Sequence, residues 1–289
     1  NGVAGLTRIG PDRLRELEPN TRGIAALHLP HVAVVDFIQV ATAMARDIEQ
    51  AGGVIQTSAC VRRVSRAHGC WRLETTREDY AGAFLINCGG LHSDRLGRLA
   101  GEGASVRVIP FRGEYFTIRP ERASLVNGLI YPVPNPALPF LGVHFTKMLD
   151  GGVHVGPNAV LAMAREGYRR GDVSLRDCAE LLLYPGFWKM SRRFWRTGLS
   201  EWIRSVNPRA FLHAAQRLVP ALRADDLRES PSGVRAQAVD RTGRLLDDFK
   251  IEQTEDAVHV LNAPSPGATS SLVIGRYIVD LASKNFSLS

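Results

Sequence analysis

The segment that most limits how this chain can fold is "AVHVLNAPSPGATSSLVIGRYIVDLA", residues 257–282. An apolar run suited to one buried strand enters a loop of prolines, glycine and small hydroxyl residues. A second apolar run with the length of a helix follows. A strand that passes through glycine and small side chains into a helix start leaves backbone N–H groups unpaired at the positive end of the helix dipole. Such a turn is an anion site. Gly267 and Ala268 permit close backbone approach, whereas Pro264 and Pro266 stiffen the loop and donate no hydrogen bond. The plainer reading is a tight loop before an ordinary helix that begins at Ser270 or Ser271.

"LINCGGLHSDRLGRLAG", residues 85–101, has the same plan: an apolar strand, a glycine pair, and a short helix capped by Ser93 with Asp94 in its first turn. Two such turns predict one extended ligand with several polar parts. Upstream, "VVDFIQVATAMARDIEQAGG" predicts a helix. Asp36 is its N-cap, Gln39 completes a capping box, Phe37, Val40, Met44 and Ile48 recur at helical spacing, and Gly52 and Gly53 end it. Strands are expected at "VIQTS", "VRRVSRA" and "WRLETT". From residue 105, strand-like runs separated by proline and glycine predict a mostly antiparallel sheet. Residues 164–228 read as helical, and "GVRAQAV" with a hairpin through "DRTGRLL" returns the chain to α/β character. The fold class expected is therefore α/β (α+β), with a sheet-rich part, residues 105–231, inserted between 1–104 and 232–289.

With 289 residues, 45% of them hydrophobic, the chain can bury a substantial core, and no apolar run approaches the ~20 residues of a membrane span. The net charge is +7, almost all of the cations being arginine. They are spread along the chain with no nucleic-acid module, which argues against nucleic acid as a partner. Cys60, Cys70, Cys88 and Cys178 form no CxxC pair, so reduced, buried thiols, no metal and a cytoplasmic setting are expected. No signal peptide opens the chain. Residue 1 is asparagine in what reads as a loop before a short helix, "GPDRLRELEP", so the sequence is read as a fragment.

The strings "IPFRGEYFTIRP", "FLGVHFTKMLDGGVHVGPNAVLA", "SGVRAQAVDRTGRLLDDF", "INCGGLHSDRLGRLAG" and "LNAPSPGATSSLVIGRYI" together resemble the L-2-hydroxyglutarate oxidase/dehydrogenase group of the FAD-dependent D-amino-acid and glycine oxidase superfamily. The resemblance runs from residue 5 to residue 288. It implies a Rossmann-like FAD-binding domain and a substrate domain, with hydride passing from the α-carbon of a 2-hydroxy acid to flavin N5. An amino-acid or amine oxidase of the same superfamily is the alternative. A basic membrane- or nucleic-acid-associated binding protein is the non-enzyme alternative. The superfamily's first βαβ unit carries GxGxxG for the FAD pyrophosphate, and these residues contain none. Residues 1–289 alone are therefore expected to hold FAD weakly and to be inactive. Electrons would pass to oxygen or a quinone.

By the same resemblance, Val61 meets the adenine end of FAD, Cys88, Gly89 and Gly90 pass close to the cofactor, and Pro266, Gly267, Ala268, Thr269 and Ser270 lie near the flavin ring and pyrophosphate. Cys88 reads as a small packing residue and not a nucleophile. Arg235 in "GVRAQ" matches the superfamily's GLRP-type arginine, departing from it at the proline, and would clamp a substrate carboxylate with two parallel hydrogen bonds. Hydroxyl oxidation also needs a base, for which His144 in "GVHFT" is the candidate and His92 the rival; a structural role fits either equally well. Arg112 and Tyr115 in "FRGEY" are candidates for a second carboxylate contact. Trp188, Trp195 and Trp202 recur every seven residues on a helix expected over 187–204, flanked by Lys189, Arg192, Arg193, Arg196 and Arg204. Core packing beneath a basic solvent face is the default reading, and peripheral docking on the inner face of a membrane is the alternative.

Overall fold

The computed structural model describes residues 2–102, 105–133, 142–264 and 266–288. Strand β1 (Thr7–Ile9), helix α1 (Pro11–Leu17) and strand β2 (Ala26–His28) open the chain, the two strands pairing antiparallel. Helix α2 (Phe37–Gln50) follows. Next come β3 (Val61–Ala67), β4 (Cys70–Thr75) and β5 (Asp79–Gly82), a three-stranded antiparallel sheet. Strand β6 (Leu85–Asn87) then leads through a 3-10 turn, Gly90–His92, into α3 (Ser93–Leu99).

The middle of the chain builds a five-stranded antiparallel sheet. Its strands are β7 (Val106–Ile118), β8 (Leu129–Ile130), β9 (His144–Lys147), β10 (Val153–Leu161) and, after helices α4 (Leu175–Leu182), α5 (Pro185–Val206) and α6 (Pro208–Gln216), β11 (Leu227–Asp240). The spatial order is β11-β7-β10-β9-β8. Last come β12 (Lys250–Gln253), β13 (Ala257–Asn262) and α7 (Ser271–Asn285). The chain thus has the expected mixed α/β class. Of the strand-like runs "GLIYPVP" and "FLGVHFTKML", residues 134 and 140–141 lie outside those described, as do residues beside the 104/105 boundary, and the 231/232 boundary falls inside β11.

Two hydrophobic clusters pack helices against the large sheet. Ile118, Phe145, Val153 and Val155 pack on Phe211 of α6 and on Val219 and Leu222 beyond it. A second cluster joins Ile109 and Val239 to Tyr184, Phe187 and Met190 at the start of α5. Strand β13 is buried along its whole length, with Leu261 packed on Val106 and Ala238, so β7 and β11 bridge the two parts of the molecule.

Several local expectations change in the structure. Asp36 caps α2 by accepting from the Ile38 N–H at 2.8 Å, but Gln39 donates to the Asp36 carboxylate at 3.1 Å instead of reaching back to the cap N–H, so no capping box forms. Gly52 at φ +84° and a Gly53 N–H to Ile48 carbonyl bond close the helix as expected. "VIQTS" forms no strand, because β3 offers its pairing only to β4 and Thr57–Ser58 turns instead. Ser93 is the first helical residue of α3, with His92 at the cap; its hydroxyl is buried and donates to the Leu261 carbonyl at 3.4 Å. The thiols are not buried: Cys60, Cys70 and Cys88 are exposed and Cys178 is half-buried, all four free. Nor do the α5 tryptophans fill a core, since Trp188, Trp195 and Trp202 are each 57% exposed while Phe187 and Met190 take the inner positions. Among the described residues no helix is long and apolar enough to cross a membrane.

Candidate active site

Strands β6 and β13 lie side by side and parallel, with Asn87 opposite His259. Both glycine turns therefore leave the same end of one sheet, the position at which α/β sheets bind ligands. A buried polar knot fixes the first turn. The Asn87 amide nitrogen donates to the Ser93 carbonyl at 2.8 Å and lies 3.1 Å from His259 Nδ1, while Asn87 Oδ1 accepts from the Gly89 N–H at 3.0 Å. Burial pushes the His259 pKa below its ordinary value, against the pull of Glu102, whose carboxylate lies 3.0 Å from Nε2. The residue reading missed Asn87 and His259. Their signal is a polar side chain inside each of two otherwise apolar strands.

The glycines divide by purpose. A Cβ on Gly89 would sit 2.6 Å from Leu96 Cδ1 and 3.3 Å from the Ser93 nitrogen, so this position serves the packing of α3 on its turn. Gly90, at φ +52°, faces open space. Gly267 also has room, its nearest neighbour being the Pro264 carbonyl at 3.6 Å. The Ser270 side chain caps nothing, although Ser270 holds the N-cap of α7, and Thr269 turns its hydroxyl to the Pro266 carbonyl at 3.3 Å. The first N–H groups of α7 thus have no side-chain cap, and open backbone lies beside them. This fits a phosphate- or flavin-bearing ligand that approaches along the backbone. Ala268 is exposed on the same loop. Val61 begins β3, half-buried against Val64, Trp71 and Ala257. Cys88 is exposed and not packed, and partial desolvation raises its thiol pKa, which removes the thiolate a nucleophile would need.

The second half of the site comes from the large sheet. Both neighbours of β7 bulge at the same level, β11 between Ser230 and Gly233 and β10 between Val155 and Asn158. Paired bulges redirect the side chains between them. Gly156, at φ +146°, lies against Tyr115: a Cβ there would meet the Tyr115 ring at 3.0 Å and the Glu114 carbonyl at 2.9 Å. His144 of β9 pairs in register with Gly156, so Tyr115 and His144 flank one glycine. The Tyr131 ring stacks on His144 with centroids 4.5 Å apart. His144 Nδ1 lies 3.1 Å from the Gly142 carbonyl, which assigns the proton to Nδ1 and leaves Nε2 as an acceptor. Burial, aided by the Arg235 charge and opposed by the Gly142 hydrogen bond, holds the His144 pKa below its usual value. Burial raises the Tyr115 pKa despite the same arginine. Arg235, opposite Phe111 on β11 and three residues from the Ala238 contact with β13, is thus within electrostatic reach of both.

Arg112 does not join this group. It is buried in an ion pair with Glu114 at 2.9 Å and donates to the Arg169 carbonyl at 3.1 Å, with Arg170 on the same carboxylate. The Ser205 hydrogen bond and these cations keep the Glu114 pKa low against burial. His92 sits on the Gly90–His92 turn with Nε2 3.0 Å from Glu166. Asp94 lies in the first turn of α3, as expected, and is fully buried: it receives Arg165 NH2 at 2.9 Å and the Val108 N–H at 3.3 Å, the latter tying α3 to β7. Among the described residues no His, Cys, Asp and Glu cluster is arranged to hold a metal ion.

Comparison with known proteins identifies the family. A family model described as DAO, FAD dependent oxidoreductase, matches residues 1–281. An L-2-hydroxyglutarate dehydrogenase of Indibacter alkaliphilus is 46% identical over 287 residues, covering 99% of this chain and 72% of the relative. A mitochondrial L-2-hydroxyglutarate dehydrogenase of Nematostella vectensis is 41% identical over 307 residues, covering 100% of this chain and 67% of the relative. In fold, the chain is similar to dithionite-reduced L-alpha-glycerophosphate oxidase from Mycoplasma pneumoniae with FAD bound. The TM-score is 0.73 at 20% identity, over 98% of this chain and 66% of the other. The chain belongs to the DAO family of FAD dependent oxidoreductases and, within it, to the group of the L-2-hydroxyglutarate dehydrogenases.

Proposed function

We propose that this chain acts in the oxidation of L-2-hydroxyglutarate to 2-oxoglutarate, with Arg235 and His144 on the substrate and the two glycine turns on FAD. The observation that carries the reading is the neutral His144, its Nε2 left as the acceptor by the Nδ1 hydrogen bond to Gly142, within the field of Arg235 and beside Tyr115. The relatives named for the same substrate support it. FAD, when bound, supplies a two-electron acceptor for the hydride at the substrate α-carbon. Arg235 would clamp the carboxylate next to that carbon through its planar fork, which fixes the C–H direction. His144 Nε2 would take the hydroxyl proton, a transfer for which a neutral imidazole is suited near pH 7. Tyr115, kept protonated, can donate a hydrogen bond to the substrate. His92 is less suited as the base because Glu166 already engages its Nε2.

In this reading residues 1–104 and 232–289 belong to the cofactor side and 105–231 to the substrate side. Backbone around Cys88–Gly90 and Pro266–Ser270 approaches FAD, with Val61 toward its adenine end. The electron acceptor is oxygen or a quinone, the setting is cytoplasmic, and residues 187–204 make peripheral contact with a membrane. Turnover by the FAD-loaded enzyme tests the substrate. L-2-hydroxyglutarate should reduce the flavin, while glycine, sarcosine and proline should not. Preferential reduction by an amine would replace the reading with that of an amino-acid oxidase.

A further inference from the structure

Helix α3 is held at both ends through one buried histidine. His259 lies in β13 with its side chain fully buried, where an apolar residue would serve packing alone. At the start of the helix its Nδ1 is 3.1 Å from the Asn87 amide nitrogen, and that nitrogen donates to the Ser93 carbonyl at 2.8 Å. Past the end of the helix its Nε2 is 3.0 Å from the Glu102 carboxylate. Among the described residues neither this nitrogen nor this carboxylate oxygen has a hydrogen-bond partner elsewhere, so each satisfies the other.

The ring proton follows from groups that cannot change role. The Gly89 N–H can only donate, so the Asn87 oxygen, 3.0 Å away, faces it. The Ser93 carbonyl can only accept, so the Asn87 nitrogen faces that side and His259 with it. An amide N–H aimed at Nδ1 needs a lone pair there. The proton therefore lies on Nε2, where Glu102 accepts it. Burial keeps the ring neutral against the pull of Glu102 and Glu252. A line of hydrogen bonds thus runs from Glu102 through His259 and Asn87 to the backbone of the first glycine turn.

We propose that His259 is a positioning residue for the cofactor: its Nδ1 lone pair holds the Asn87 amide, and through it the Gly89–Gly90 turn, in the shape that receives FAD, while Glu102 fixes the tautomer that has this lone pair. The proposal rests on the assignment of that turn to FAD and not on the substrate. A histidine that only filled space in the sheet would need neither tautomer. The opposite tautomer would set an N–H against the Asn87 N–H and loosen the amide that holds Gly89. Gly90, at φ +52° beside open space, is next in the chain, so a shift at Gly89 passes straight to the backbone that approaches the cofactor.

Titration of the flavin-free enzyme with FAD tests it. Asparagine places an oxygen near the Nδ1 position and glutamine places a nitrogen near Nε2, so the two variants separate the two sides of the ring. His259→Asn should keep FAD affinity within about threefold of wild type, whereas His259→Gln should weaken it about tenfold or more, the order expected when a buried donor loses its acceptor. Thermal unfolding of the flavin-free variants should not follow this difference. In the wild type, the nitrogen resonances of labelled histidine should show a neutral His259 with its proton on Nε2 near neutral pH, a measurement that needs no variant. A proton on Nδ1, a charged ring, equal FAD affinities in the two variants, or affinities that merely follow stability would each overturn the proposal. Gly90→Val strains the turn itself and should weaken FAD as well. Normal FAD binding by Gly90→Val would remove the turn from the cofactor site and overturn both readings. Weakened binding by Gly90→Val with normal binding by His259→Gln would overturn the proposal for His259 alone.

Discussion

In the proposed function the five-stranded sheet and the parallel pair β6/β13 present different kinds of atom to substrate and cofactor. The sheet offers side chains: His144, Tyr115 and Arg235, gathered from three strands and aimed by bulges. The parallel pair offers backbone, with open space at Gly90 and Gly267 and a helix start without a side-chain cap. If the proposed roles hold, substrate chemistry and cofactor binding are separable here. A side-chain substitution in the sheet should alter chemistry and spare FAD. Filling space at the turns should do the reverse.

The largest effect is expected at Arg235. If its fork clamps the carboxylate, lysine supplies charge without two-pronged geometry, and Arg235→Lys should cost on the order of 2–5 kcal/mol in kcat/KM. FAD content should stay the same. Near-normal kcat/KM for every 2-hydroxy acid tried, or a colourless protein, would break the separation at its strongest point.

His144→Asn comes next, with flavin reduction slowed roughly 10²-fold and the flavin spectrum retained. The pH profile sharpens this test. The His144 pKa lies below its ordinary 6.5, so the base is deprotonated at neutral pH, and activity should fall only as pH drops through that lowered value. The acid limb of kcat/KM in the wild type belongs below 6.5, and it should vanish in the variant. An acid limb above 6.5 would transfer the proton to another group.

Smaller effects distinguish the two turns. Gly89→Ala forces a methyl group against Leu96 and the Ser93 backbone, and should lower thermal stability by about 1–3 kcal/mol. Gly267→Ala has no close contact to offend and should change stability by less than about 0.5 kcal/mol, while weakening FAD retention in a titration. Equal effects on stability at both sites would mean that the two turns are alike after all.

Much of the cofactor side was legible because it is local. A strand, a glycine turn and a helix start are contiguous in sequence, and β13, Ser270 and α7 fall where the pattern of residues 257–282 predicts. Asp36 as a cap and Gly52 as a stop are likewise decisions made within one turn of helix. Burial was less legible. Heptad-spaced tryptophans and isolated cysteines read as core, yet which side of a helix faces the core depends on neighbours distant in sequence, and α5 turns Phe187 and Met190 inward instead. Arg112 and Tyr115 are three residues apart in one motif, but the first is engaged by Glu114 and the Arg169 carbonyl while the second lies beside His144.

By itself, then, the sequence determined the class of fold, the two backbone turns and the family, since each depends on residue types at short fixed spacing. Only the tertiary structure decided which polar groups meet. The pairing of β9, β10, β7 and β11 brings His144, Tyr115 and Arg235 together from positions up to 120 residues apart in the numbering, and the buried Asp94–Arg165 pair joins α3 to the turn beyond β10 across 71 residues. Register and bulge position set those encounters. Both are properties of strands in contact, and no single stretch of chain carries them.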